Sequence, residues 1–399
     1  MPRSVKNPSH VARSSCRTSA VAAAMMAAGE DIGARRLHEA RRASAMHVLL
    51  PQGAQLLDVT AGDGRQLLGH GRDSIAAAVR AAPSGPAARG GLDRLRRQIG
   101  ALMPPHLDEV AFAASGAQSL AQAIAVAREY HRRRGQTARQ RILVCACRSA
   151  CGLPPPPLDP QDMFVGRALA DITARAAALG PDRIAALLIE PLGMADGLSP
   201  PDPAEAEGLR LLCERSGMLL IADETAAALG RVGTATAAQR LGLTPDLVML
   251  GEVLTNNAAP LGAVVARTDM ADLLMQGGII PEAAAVAAAL ETLAILEDEQ
   301  LLRRSREIEP YWQQAINSLM GAPVIRSIHG VGLASAIELV PRPGAPGARG
   351  QLLFQRSRDY GILTRVRDET LFLTPALVVT KDQIDEIVEK LSAALRKIT

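Results

Sequence analysis

Lysine is almost absent from this 399-residue chain. The basic residues include only Lys6, Lys381, Lys390 and Lys397, so no lysine lies between residues 7 and 380. That gap excludes a phosphate loop of the GxxxxGK[ST] type, a kinase-type strand lysine, and any lysine-dependent chemistry in the body of the fold. Aromatic residues are scarce too, at 2%, which leaves few rings on which nucleic-acid bases could stack. Charge of one sign does not accumulate: the net charge is +3, and the run Arg132-Arg133-Arg134 reads as the solvated end of a helix. No nucleic-acid partner is expected. Five cysteines are an odd number in a chain of this length, which disfavours a disulfide framework and fits a reducing, cytoplasmic setting. No stretch approaches the roughly 18 consecutive strongly apolar residues of a membrane span, so no membrane association is expected.

What is present is a globular alphabet, 48% hydrophobic, enough to bury a substantial core in two domains or one large domain with an appendage. Residues 20–28 form an apolar run behind scattered arginines, with no acidic residue before Glu30. A targeting peptide has that look. The run is short and alanine-rich, so an arm or first helix over residues 1–55 is the preferred reading. From about residue 56, short apolar runs bounded by Gly, Pro and Asp alternate with helical patterns. The runs are 55–59, 109–114, 141–147, 184–190, 218–223, 247–250 and 262–266, the signature of buried strands in a largely parallel sheet. Helices are predicted over 117–134 and 203–216, which makes an α/β layout with helices on both sheet faces. A helical stretch over 281–320 leads into an α+β tail with strands at 325–328, 333–339, 362–365 and 370–374 and a closing helix over 382–398. The expected organisation is a large domain over 56–290 and a small one over 291–399.

The stretch Leu57-Asp58-Val59-Thr60-Ala61-Gly62-Asp63-Gly64 mimics the glycine-rich turn of an S-adenosylmethionine-dependent methyltransferase. A lone glycine-rich turn after a strand is a weak signal. The chain continues through Leu68-Gly69-His70-Gly71-Arg72-Asp73 into a helix, and supplies no acidic ribose-binding residue on a next strand.

A second resemblance covers far more of the chain. Leu57-Asp58 with Leu68-Gly69-His70, Ser115-Gly116-Ala117, Glu190-Pro191, Asp223-Glu224 and Leu229-Gly230-Arg231-Val232-Gly233 are followed by Pro245-Asp246-Leu247-Val248, Pro260-Leu261-Gly262-Ala263-Val264, Gly330-Val331-Gly332-Leu333 and Pro375-Ala376-Leu377. In this order and spacing the motifs, from about residue 57 to 392, resemble the class III aminotransferases, pyridoxal-phosphate enzymes of fold type I. The resemblance implies a mostly parallel sheet in a three-layer large domain, a smaller C-terminal domain, and an active site built at a dimer interface. It makes Ser115, Gly116 and Ala117 the cofactor's phosphate cup, where backbone N–H groups and the positive end of a helix dipole hold an anion. An ordinary helix start with small residues would look the same. Asp223 becomes the carboxylate that pairs with the pyridinium nitrogen, or a structural cap of the Glu224 turn.

The sequence departs from the family pattern where the chemistry would be. The resemblance puts the Schiff-base lysine one residue after Leu250-Gly251, and that residue is Glu252. A carboxylate cannot form an imine. The family's ring-stacking aromatic and histidine correspond to Ala150 and Cys151 before Gly152. The residues after Asp-Glu are Thr225 and Ala226, the threonine given across the dimer falls at Gln276, and the substrate-carboxylate arginine falls at Phe372. Cys145, Cys147 and Cys151 could share a strand-end face, although without a histidine or fourth cysteine nearby no metal is expected. His47, His70 and His329 read as hydrogen-bonded structural residues.

The sequence supports three expectations. The chain is a non-catalytic or scaffolding member of the family, acting as a homodimer or as partner of an active paralogue, with no covalent cofactor. Alternatively, it is a repurposed enzyme using Glu252 and Asp223 as acid and base, or holding pyridoxal or pyridoxamine phosphate noncovalently. The remaining reading is a working aminotransferase. No substrate can be read from the sequence, because the residues that would select one are those that differ.

Overall fold

The computed structural model describes residues 42–50, 53–82, 87–145, 163–164, 168–194 and 197–398. The first described elements are strands β1 (Arg42–Ser44), β2 (His47–Leu49) and β3 (Gln55–Asp58), then helices α1 (Asp73–Arg80) and α2 (Ala87–Leu102). Strand β4 (Glu109–Ala113) feeds the long helix α3 (Gly116–Arg133). Strands β5 (Arg141–Cys145) and β6 (Met163–Phe164), helix α4 (Leu169–Leu179), β7 (Ile184–Ile189), α5 (Pro203–Ser216), β8 (Leu219–Asp223), α6 (Ala237–Leu241), β9 (Leu247–Leu250) and β10 (Gly262–Ala266) come next. The remainder is α7 (Ala271–Gly277), α8 (Ala283–Asp298), α9 (Leu301–Asn317), β11 (Ile325–Val331), β12 (Ala334–Leu339), α10 (Ala348–Asp359), β13 (Ile362–Leu363), β14 (Arg365–Arg367), β15 (Thr370–Leu373) and α11 (Lys381–Leu395).

The central sheet has seven strands in the order β4-β10-β9-β8-β7-β5-β6. From β9 to β6 the neighbours are parallel, and β10 runs antiparallel to both β9 and β4. The sheet is thus mixed, and the fully buried β10 runs against its neighbours although its apolar run is as continuous as theirs. In β9, Val248 and Leu250 face one core cluster while Leu247 and Met249 face another. A strand covered on both faces needs apolar residues at every position, which removes the alternation an exposed strand would show. Helix α3 covers one face through Ala123, Ile124, Val126 and Ala127. Helices α4 and α5 cover the other through Ile172, Ala206 and Leu209.

Two four-stranded sheets complete the fold, β1-β2-β3-β13 and β11-β12-β15-β14. The predicted strand 362–365 divides between them. Ile362 and Leu363 pair in parallel with Leu57 and Asp58, whereas Arg365 turns into the hairpin with β15. Tertiary pairing decided this, since local sequence cannot distinguish one strand from two with a step between them. The helical stretch over 281–320 also breaks, at Gln300, whose φ of 50° is left-handed. A side chain there strains the backbone, and the buried Leu296 and Leu301 on either side hold the reversal in place. Trp312 on α9 is fully buried and donates from Nε1 to Ser335 Oγ at 2.9 Å, anchoring that helix to β12. Helix α11 begins with a Thr380–Gln383 capping box, a start signal legible in the sequence. Among the described residues no helix is long and apolar enough to cross a membrane.

The glycine-rich turn after β3 opens no helix. It folds back so that a β-carbon at Gly64 would lie 2.9 Å from the Ala226 carbonyl oxygen. Asp58 accepts from the Thr60 N–H and hydroxyl, both at 2.7 Å, and pairs with His70 Nε2 at 2.7 Å. This buried polar knot explains Leu57-Asp58 and Leu68-Gly69-His70 as architecture, not a nucleotide site.

Candidate active site

Two strand ends and one helix start meet on this sheet. Strand β4 runs into Ser115, which caps α3: its backbone is extended (φ −166°, ψ 168°) and its hydroxyl accepts from the Gln118 N–H at 3.2 Å. A helix start carries N–H groups with no partner inside the helix and about half a positive charge. Beside it ends β9. Ser119 Oγ donates to the Leu250 carbonyl at 2.9 Å, clamping the end of β9 to the first turn of α3. The approach is this close because residue 262, on the strand between them, is glycine: a β-carbon there would overlap Ser119 Oγ and the Ser115 carbonyl.

Past Leu250 the chain extends through Gly251 and enters a 3₁₀ turn, Glu252–Thr255. A β-carbon on either Gly116 or Gly251 would stand 3.4 Å from the other's Cα, and one at 116 would stand 3.2 Å from the Thr225 methyl. The Glu252 side chain turns toward α3, and its Oε1 accepts from the Gly116 N–H at 3.2 Å. Asn256 ends the turn at φ 50°, accepts from the Leu68 N–H at 2.9 Å and donates to the Gly69 carbonyl at 3.0 Å. Asparagine tolerates the left-handed region better than most side chains.

Strand β8 lies next to β9 and ends at Asp223. Asp223 Oδ1 accepts from the Thr225 N–H at 3.0 Å and the Thr225 hydroxyl at 2.6 Å. Burial pushes the Asp223 carboxyl up, against the pull of those two bonds and the charge of Arg65. Glu224 is fully buried and accepts from the Ala237 and Ala238 N–H groups at 2.9 and 2.7 Å. Its carboxyl is pushed up to about 8, first by burial and also by the neighbouring Asp223 and Glu190, with the two N–H donors holding it back. The fully buried Arg231 donates from Nη1 to the Leu333 carbonyl at 3.1 Å and also to that of Pro375. Burial pulls its guanidinium down to about 9, so it stays charged at neutral pH.

The sequence of this molecule matches the Aminotransferase class-III family over residues 159–395. The chain belongs to the class III aminotransferases. It is 31% identical over 407 residues to an omega-aminotransferase of Caulobacter vibrioides, covering 89% of this chain and 93% of that one. It is 29% identical over 355 residues to a beta-alanine–pyruvate aminotransferase of Pseudomonas aeruginosa, covering 76% and 78%. Its fold matches a transaminase from the marine bacterium Virgibacillus with a TM-score of 0.80 at 20% identity, covering 90% of this chain and 92% of that one. It also matches an omega transaminase of Pseudomonas jessenii in complex with PMP, with a TM-score of 0.79 at 21% identity over 95% of both chains. The architecture is therefore the α/β fold of the type I aminotransferases, a pyridoxal-phosphate-dependent family.

Within this class III aminotransferase, Ser115, Gly116, Asp223 and Glu252 come together at the ends of β4, β8 and β9, while Ala117 continues the first turn of α3. Phe372 is buried on β15, and the Arg365 guanidinium from the facing strand lies 5.6 Å from its ring centre. Gln276 is exposed near the end of α7. Ala150, Cys147, Cys151 and Gly152 lie outside the described residues, and Cys145 is described only as the last residue of β5. Among the described residues no group of three or more His, Cys, Asp or Glu could hold a metal ion. His70 is tied to Asp58, and His329 lies 3.0 Å from Ser327 Oγ on an exposed strand. Two surface depressions, of about 470 and 420 Å³ beside Tyr130 and Arg96, are lined by none of Ser115, Asp223 or Glu252.

Sequence reasoning passed over Ser119 and named Gly262 and Glu224 only as members of motifs, without a role. Gly262 sits in an apolar strand motif and gave no hint of the helix packed against it. A buried role for Glu224 was signalled only by the small residues Ala237 and Ala238, which let a helix start approach it.

Proposed function

We propose that this class III aminotransferase-family protein does not carry out imine chemistry and serves as a non-catalytic dimer partner. The observation that carries the reading is the Glu252 carboxylate seated on the Gly116 N–H, in a chain without a lysine from residue 7 to 380. A cofactor that acts through an imine bonds the substrate's amine nitrogen and supplies an electron sink for the carbon next to it. The residues present do not fit such a cofactor: Glu252 offers no amine, and its negative charge at the cup opposes a phosphate. Thr225 already engages Asp223 through both its N–H and its hydroxyl. The partner in this reading is a second copy of the chain or an active relative. An apolar face at Met275, Ile279 and Ile280 is available to it.

A working aminotransferase is what the names of the relatives would carry over, and one experiment separates the two readings. Purified protein supplied with pyridoxal phosphate, an ω-amine donor and pyruvate is expected to give no turnover and no aldimine absorbance that survives desalting. Turnover, or stoichiometric fixation of the cofactor by borohydride, would overturn the proposal. Acid–base chemistry on another substrate is a second reading, favoured by the raised Asp223 carboxyl. It requires an activity that disappears in Asp223→Asn.

A further inference from the structure

We propose that Glu252 is a built-in anion for the start of α3, so that the chain holds the junction of β9 and α3 together without a phosphate-bearing ligand. This deepens the proposed non-catalytic role and rests on it.

Helix α3, at 18 residues, is long enough to present a full dipole at its start. Of its first N–H groups, Gln118 is satisfied by Ser115 Oγ and Ser119 by the Ser115 carbonyl. The Gly116 N–H goes to Glu252 Oε1. The segment carrying Glu252 is fixed on both sides. Before it, Ser119 holds the Leu250 carbonyl; after it, Thr255 Oγ1 donates to the Ala259 carbonyl at 2.6 Å and Asn256 bridges Leu68 and Gly69. The two side-chain methylenes of glutamate then span the gap between a rigid turn and a rigid helix start. Glycine at 116 is part of the arrangement, because a β-carbon there would stand 3.2 Å from the Thr225 methyl and 3.4 Å from Glu252 Oε2. Thr225 makes the same kind of closure at Asp223. The Gly116 N–H and the Asp223 Oδ1 are both met from within the chain. The charge, the donor and the spacing all favour an anion at this helix start, and the chain supplies one covalently attached at residue 252.

Thermal unfolding in inorganic phosphate, against chloride at matched ionic strength, tests this without any aldehyde or amine present. The wild-type melting temperature is expected to be indifferent to phosphate. Glu252→Ala is expected to melt about 2–4 °C lower and to recover much of that loss in phosphate. Should Glu252→Ala not fold, Glu252→Gln carries the test through NMR: between wild type and variant the Gly116 amide shift should move more than those of α3 beyond its first turn. Phosphate stabilising the wild type as much as the variant would overturn the proposal. So would a Glu252→Ala protein of wild-type stability, or a Gly116 amide that ignores Glu252. These outcomes are independent of turnover: a phosphate-responsive wild type without transamination would sink this inference and leave the proposed function standing.

Discussion

Glu224 is the acid whose ionisation the fold opposes most plainly, with its carboxyl pushed up to about 8. The sign of the effect comes from proton counting. Between the ordinary value of 4.5 and about 8 the folded chain retains a proton that the unfolded chain has released. Glu224 therefore contributes stability that is fully present below the unfolded value and is lost as pH rises through about 8. Glu224→Gln should flatten the fall in melting temperature across that window. Below that window it should lower stability by about 1–3 kcal/mol, because an amide can accept at only one of the two positions that Ala237 and Ala238 require, and the deficit should shrink as pH rises through about 8. Parallel melting curves for variant and wild type against pH would refute the assignment. At the same scale, the acid at residue 252 and the want of any lysine from 7 to 380 were legible in the sequence. The contact of that acid with Gly116 was not, since that depends on two residues 136 positions apart being brought within 3.2 Å.

At the scale of elements, the site exists because a helix start lies against a strand end with only the glycine of β10 between them. Gly262→Ala should place a methyl into Ser119 Oγ and the Ser115 carbonyl. The expected cost is about 1–3 kcal/mol, measurable by denaturant titration, with the Ser119–Leu250 clamp and the Glu252–Gly116 contact loosened together. A neutral Gly262→Ala would mean the helix can shift freely and that the close approach is not what positions Glu252. Six of the seven central-sheet strands were readable because both faces of most are buried and their apolar runs are continuous; the two-residue β6 was not, and the run 55–59 became β3 of a separate sheet. Short strands were not: β1 and β2 have three residues each, and β13 and β14 divide a single apolar run. The antiparallel course of β10 was hidden as well, because strand direction leaves no mark on a fully apolar segment.

At the scale of the whole molecule, the exposed apolar face is the feature a lone chain does not explain. Ile280 is 86% exposed, next to Ile279, which bridges Phe112 at the β4 edge of the sheet, and close to Met275. Contiguous exposed apolar residues mark interaction surfaces. If that face carries the dimer, Ile280→Asp should shift the protein to monomer in analytical ultracentrifugation with little change in melting temperature, since a charge at an exposed position costs the fold almost nothing. An unchanged sedimentation coefficient would place the partner elsewhere. The sequence by itself determined the fold class, the order of motifs and the want of an amine between residues 7 and 380, because apolar periodicity, motif spacing and residue identity are properties of the chain alone. Only the tertiary structure decided where the Glu252 carboxylate goes, what holds Asp223, and why residues 116, 251 and 262 are glycines. Those are questions of which backbones approach one another and which N–H groups are left for a side chain to meet, and they have no answer until the strand ends and the helix start are packed together.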